Sequence, residues 1–256
     1  MENIYIGDIH GLNIWEDIVK QHPNADNITF IGDYLDSFDI SGIEQLFNLE
    51  NIVQYKKDTE LNSNKKVHLL IGNHDLHYWP GMKDRGGVSG FQPTMLHQFE
   101  CFFRQNQKMF KMATQIGNNL CTHAGVTETF LKEVGYYKEY DGVEYVEEFL
   151  NEFFHHKPNE FDFYACYDRH YGLMMIDPYG SNVQQSPVWV RPKSLMKDNK
   201  GSELKNTYIQ IVGHTKQNTI DIKGKSTGGR YYFIDTLPNN QYLIEKDGEF
   251  SIGYIN

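Results

Sequence analysis

The sequence predicts an α/β fold in one domain, organised around parallel strands, and three observations lead there. Short β-branched runs alternate with helical stretches through the N-terminal part of the chain. Four apolar runs stop at a glycine followed at once by a polar residue, in Ile4-Tyr5-Ile6-Gly7-Asp8, Thr29-Phe30-Ile31-Gly32-Asp33, His68-Leu69-Leu70-Ile71-Gly72-Asn73 and Ile209-Gln210-Ile211-Val212-Gly213-His214. Such runs, bounded by turn residues, read as buried strands. The length of 256 residues, with 39% hydrophobic and 14% aromatic content, suits a single packed domain better than two.

Taken in order, the first strand leads to Asn13 and Glu16, which have N-cap and N3 spacing, before a helical face of Ile14, Trp15, Ile18 and Val19. Ser41 and Glu44 repeat that spacing before Ile43, Leu46, Phe47 and Val53, and the third strand follows. Strand-helix-strand-helix-strand implies parallel pairing through right-handed crossovers. Residues 76–93 hold Pro80, Gly81, Gly86, Gly87, Gly90 and Pro93 among aromatic residues and predict a long ordered loop. Helices are expected at Met95 to Phe103 and at residues 143–156, where Val146, Phe149, Leu150, Phe153 and Phe154 fall on one face. The second lies in a segment, about 135–205, that reads as a helical cap or insertion. From Tyr208 onward, runs separated by Lys223-Gly224-Lys225, Leu237-Pro238-Asn239-Asn240 and Lys246-Asp247-Gly248 predict a β-meander.

Composition narrows the function. The 34 acidic and 24 basic residues leave a formal charge of −10, against an extended surface for duplex DNA or RNA, whose binding rests on phosphate neutralisation. Cys101, Cys121 and Cys166 are odd in number and far apart, so no disulfide framework is expected. There is no hydrophobic signal core and no run of about 18 apolar residues, so no membrane partner is expected and a cytoplasmic setting follows.

The residues after the glycines carry the chemistry. Asp8 and His10 stand two apart, Asp33 is followed by Asp36, Asn73 precedes His74 and Asp75, and His123 and His214 each adjoin a glycine. Carboxylate, amide and imidazole together suit manganese, iron or zinc. These motifs, spelled GDIHG, GDYLD, GNHD, THAG and GHT in that order, resemble the calcineurin-like metallophosphoesterase superfamily, most of all its phosphoprotein phosphatase branch in the bacterial form. The resemblance spans residues 7–215. It implies a four-layer fold, a β-sandwich flanked by helices, with a dinuclear centre of two divalent ions at one sheet edge, manganese first among them.

By the same resemblance Asp8 and His10 hold one ion, Asp33 bridges, Asn73, His123 and His214 hold the other, and His74 is the general acid oriented by Asp36. The implied activity is hydrolysis of phosphate monoesters by attack of a metal-bridging hydroxide, as in serine/threonine phosphatases, on a phosphoprotein or small phosphoester. One departure stands out. Where the branch runs on to an arginine, Asp36 is followed by Ser37 and Phe38. Arg191, in a segment that resembles bacterial members, and Arg169 are the candidate phosphate contacts in its place. Asp75 and the missing arginine leave a nucleotide or diadenosine polyphosphate hydrolase as the rival enzyme. A non-catalytic metal-binding scaffold is a further alternative. His77, His97, His155, His156 and His170 read as surface or packing residues.

Overall fold

A computed structural model describes residues 1–83, 85–166, 182–222 and 227–255. Strand β1 (Glu2–Ile6) is followed by α1 (Trp15–Gln21), β2 (Asn27–Phe30), α2 (Gly42–Asn62), β3 (Lys66–Leu70) and the single turn α3 (Asn73–Leu76). Next come α4 (Leu96–Asn106), β4 (Phe110–Lys111), β5 (Ala113–Ile116) and β6 (Asn119–Thr122). Helices α5 (Glu128–Glu133), α6 (Val146–His156), α7 (Pro192–Asp198) and α8 (Glu203–Thr207) precede β7 (Ile209–Val212), β8 (Tyr231–Phe233), β9 (Gln241–Lys246) and β10 (Glu249–Tyr254).

The strands form two sheets, ordered β10-β9-β1-β2-β3-β4 and β5-β6-β7-β8. In the first, β1, β2 and β3 are parallel, as the alternation predicts. In the second, β7 is parallel to both β6 and β8. Side chains on β1 alternate between two cores: Ile4 and Ile6 pack with Trp15, Ile18, Leu49 and Ile52 of the helices, while Tyr5 packs with Ile211, Tyr232 and Ile234 between the sheets. Each such aliphatic side chain contributes roughly 1.5–3 kcal/mol on full burial. Beyond the second sheet, α7 covers it through Leu195 against Val190 and Tyr231. The result is two sheets flanked by helices.

Several local expectations change. The Ser41–Glu44 capping box forms, with Ser41 N–H donating to Glu44 Oε2 at 3.1 Å and Glu44 N–H to Ser41 Oγ at 3.4 Å. Yet Ile43 and Phe47 of α2 are exposed, and the buried face is Gln45, Asn48, Leu49, Ile52 and Val53. The polar pair turns inward because neighbouring loops need partners: Gln45 Nε2 donates to Ile40 O at 2.6 Å and Asn48 Nδ2 to Leu12 O at 3.0 Å. Asn13 does not cap α1. Its carbonyl accepts from Glu16 N–H at 3.0 Å, and Ile14 takes the N-cap position without a side-chain bond.

The C-terminal strands are not a meander. β7 and β8 run parallel in the second sheet, whereas β9 and β10 form an antiparallel hairpin in the first, closed by the two-residue turn Asp247-Gly248 with φ of 52° and 87°. The predicted turn at Lys223-Gly224-Lys225 lies outside the described residues. Residues 77–92 form neither helix nor strand among those described, and Tyr78, Trp79 and Met82 pin that loop to the core, as expected.

Candidate functional site

The C-terminal ends of five parallel strands point to one crevice, where open α/β sheets place their ligands. Asp8 and His10 follow β1, Asp33 follows β2, Asn73 follows β3, His123 follows β6 and His214 follows β7. The two sheets therefore contribute to one cluster. Glycine is required there because the motifs interlock. A Cβ at Gly72 would collide with the Asp33 carboxylate, and a Cβ at Gly213 would collide with that of Asp8. Each glycine clears room for the acidic residue of another motif.

The backbone is unusual at the same place. Among the described non-glycine residues, six have left-handed φ, and His10 (41°), Asp33 (51°), Asp36 (66°) and His214 (63°) are four of them. Asp and His tolerate that region better than most residues, at a cost on the order of 1–3 kcal/mol each. The surroundings offset it. His10 N–H and Ile9 N–H both donate to Asp33 O, at 2.7 and 3.0 Å. Asp75, fully buried, accepts from Asp33 N–H at 2.7 Å, Tyr34 N–H at 2.8 Å and Gly72 N–H at 2.9 Å. It ties the second motif to the third.

Asp33 Oδ2 is the hub. It lies 3.3 Å from His123 Nε2, 3.8 Å from His10 Nε2 and 4.0 Å from His74 Nε2. Asp8, Asp33 and His123 offer ligand atoms within 4.8 Å of one another, and so do His10, Asp33 and His74. Asp33 is the residue common to both groups. Asn73 Oδ1 faces His123 Nε2 at 3.0 Å and His214 Nδ1 at 2.8 Å.

Backbone carbonyls fix the tautomers. His10 Nδ1 meets Leu35 O at 2.7 Å, His123 Nδ1 meets Ile31 O at 3.0 Å and His214 Nε2 meets Trp189 O at 3.1 Å. A carbonyl only accepts, so those nitrogens carry protons and the opposite nitrogens face the cluster. Burial, with the nearby His123 and Arg191 charges, holds His214 well below the usual histidine range, so its Nδ1 is a lone pair aimed at another acceptor, Asn73 Oδ1. Convergent lone pairs of this kind fit a cation, and imidazoles braced by carbonyls are the usual ligands.

The charges agree. Burial, then Asp235 and Asp33, push Asp8 well above the ordinary carboxylate range. Burial would also raise Asp33, but His123, His74 and His10 outweigh it and hold that carboxyl well below the range. His123 is raised to about 10 because Asp33 and Asp8 overcome its desolvation. Burial alone would lower His74, yet Asp33 and Asp36 raise it. Burial, reinforced by Asp33, sends Asp75 up to about 7 despite its three N–H donors.

His74 Nδ1 lies 3.0 Å from Asp36 Oδ2, the carboxylate that the resemblance pairs with it. Sequence reasoning missed the next link: Tyr78 O–H donates to Asp36 Oδ1 at 2.5 Å and accepts from Gln92 N–H at 2.8 Å. Asp235 was missed as well. It ends the Tyr231–Ile234 run as Asp8 and Asp33 end theirs, but lacks the preceding glycine. Gly7 explains its position, since a Cβ there would strike the Ile234 carbonyl. Arg191 Nη1 donates to His214 O at 3.2 Å and Thr215 Oγ1 at 3.1 Å, within the field of Asp33 and Asp8. Arg169 lies outside the described residues, as does His170. His77 is buried against the rings of Phe91 and Trp189, while His155 and His156 end α6 in solvent.

Fold and site together define a metal-dependent phosphoesterase. The sequence model of calcineurin-like phosphoesterases matches residues 4–180, and the chain belongs to that family. Among solved structures, a metallophosphoesterase from Sphaerobacter thermophilus aligns at 11% identity and a TM-score of 0.44, covering 100% of this chain and 88% of that one. No curated protein sequence matches the chain. Among the described residues no helix is long and apolar enough to cross a membrane.

Proposed function

We propose that the protein is a two-metal phosphomonoesterase of the serine/threonine phosphatase type, with manganese as its preferred ion. Asp8, His10 and Asp33 would hold one cation, and Asp33, Asn73, His123 and His214 the second. The observation that carries this reading is the set of tautomer-fixed imidazoles, Asn73 Oδ1 and Asp33 Oδ2 converging beside a histidine with its own carboxylate. Cations held there would supply the charge that offsets the phosphoryl oxygens and lowers the pKa of a water for attack.

The protein's own groups do the rest. His74 keeps Nδ1–H on Asp36 and turns Nε2 towards the cluster, so Nε2–H can protonate the departing oxygen. Asp33 and Asp36 raise the affinity of His74 for that proton against the effect of burial. Tyr78, anchored by Gln92, keeps Asp36 from rotating away. Arg191 takes a phosphoryl oxygen while Nη1 braces the His214 loop. Asp75 gives the dinucleotide rival no support, because its oxygens are buried on backbone N–H groups and cannot reach a substrate.

Manganese-loaded protein is expected to hydrolyse an aryl phosphate, and a phosphopeptide faster than diadenosine tetraphosphate. A preference for the dinucleotide would overturn the phosphatase type. Absence of turnover with manganese, iron, nickel and zinc would leave the scaffold reading instead.

A further inference from the structure

Beside the cluster is an open cavity of about 440 Å³ whose walls include His10, His74, Asp36, Ser37, Phe38 and Lys216. Lys216 is the one lysine or arginine among its described lining residues. Some lysines elsewhere are paired, Lys56 with Glu60 at 2.8 Å, Lys111 with Glu147 at 3.1 Å and Lys132 with Glu128 at 3.5 Å, and others are exposed without an ion pair among the described residues, so it is the cavity that sets Lys216 apart. Lys216 forms no hydrogen bond or ion pair among the described residues, although its charge is felt by Asp235, which also feels His10. An exposed cation facing a carboxylate-rich site without closing onto it is placed to meet an anion from solvent.

The loop that carries it is held on two sides. Arg191 Nη1 bonds His214 O and Thr215 Oγ1, and Gln217 N–H donates to Asp235 O at 3.0 Å. The Lys216 side chain itself is exposed, and a four-carbon stem gives it reach. The same wall contains Ser37 and Phe38, in the positions where the family resemblance leads one to expect an arginine.

We propose that Lys216 is a substrate-binding residue, its ammonium holding a non-bridging oxygen of the phosphoryl group. The proposal rests on the phosphomonoesterase reading above. An ammonium is a compact point charge, whereas guanidinium offers a planar fork, so this contact supplies charge without dictating the orientation of the phosphoryl group. Its loss therefore falls mainly on binding.

Lys216→Met and Lys216→Arg, each loaded with manganese, test it against the wild type. The readouts are binding of inorganic phosphate by calorimetry, KM and kcat for an aryl phosphate, metal content and melting temperature. Lys216→Met is expected to keep its metal and its melting temperature while phosphate affinity falls and KM rises, each roughly 10–100-fold, the effect of one hydrogen bond between charged partners. The change in kcat should be smaller, and Lys216→Arg should recover most of the binding. Phosphate affinity in Lys216→Met equal to that of the wild type would overturn the assignment and leave the phosphomonoesterase reading standing. A wild type that neither binds phosphate nor turns over the ester would remove both.

Discussion

His74 takes its proton affinity from the carboxylates around it: Asp33 and Asp36 outweigh the burial that would lower it. Its ring is held through Nδ1 by Asp36, and Asp36 in turn by Tyr78. A group so placed beside the ligands, but bonded away from them at one nitrogen, suits proton donation better than coordination. His74→Asn is therefore expected to cut kcat by roughly 10²–10⁴-fold, the usual contribution of a general acid, with metal content unchanged by elemental analysis. Loss of metal would mark His74 as a ligand instead. At this scale the pairing of His74 with Asp36 was legible in the sequence, since the resemblance sets the two motifs side by side. Tyr78 was not legible. Its partner lies 42 residues away, and an aromatic residue in a loop reads equally well as packing.

At the scale of elements, the strand-to-glycine-to-ligand turns were legible because the apolar run fixes the strand end and the glycine follows from close approach. The parallel pairing of β1, β2 and β3 was legible from the alternation of strands and helices. The sheet membership of β7 to β10 was not, since turn residues show where a chain bends and not which edge it joins. Nor was the inward face of α2, which Gln45 and Asn48 occupy because the loops beneath lack other partners. β3 carries a further consequence. His68 Nδ1 pairs with Thr114 Oγ1 at 3.1 Å, linking the first sheet to β5 of the second. Burial, aided by the Lys111 and Lys56 charges, lowers His68 from the usual 6.5 to about 4. A histidine lowered on folding stays neutral when the unfolded chain would already bind a proton. Its stabilising effect is complete above pH 6.5 and is lost as pH falls towards 4. Melting curves across that window should therefore fall more steeply for the wild type than for His68→Gln; parallel curves would contradict the assignment.

The whole molecule brings the carboxyl ends of strands from two sheets to one crevice, and this is why the clustered residues are scattered from Asp8 to His214 along the chain. Asp33, which follows β2, belongs to both groups of converging ligand-type atoms, one with His10 and His74 and one with Asp8 and His123. In the two-metal centre proposed above, a single carboxylate shared in this way would couple the two halves. It also makes the central claim measurable. Manganese stoichiometry by elemental analysis, on wild type and Asp33→Asn dialysed side by side, should give about two ions per chain for the wild type and depleted occupancy at both positions for the variant, because one bridging ligand serves each. A wild type that retains only one ion, or an Asp33→Asn protein as fully loaded as the wild type, would contradict a bridged two-metal centre.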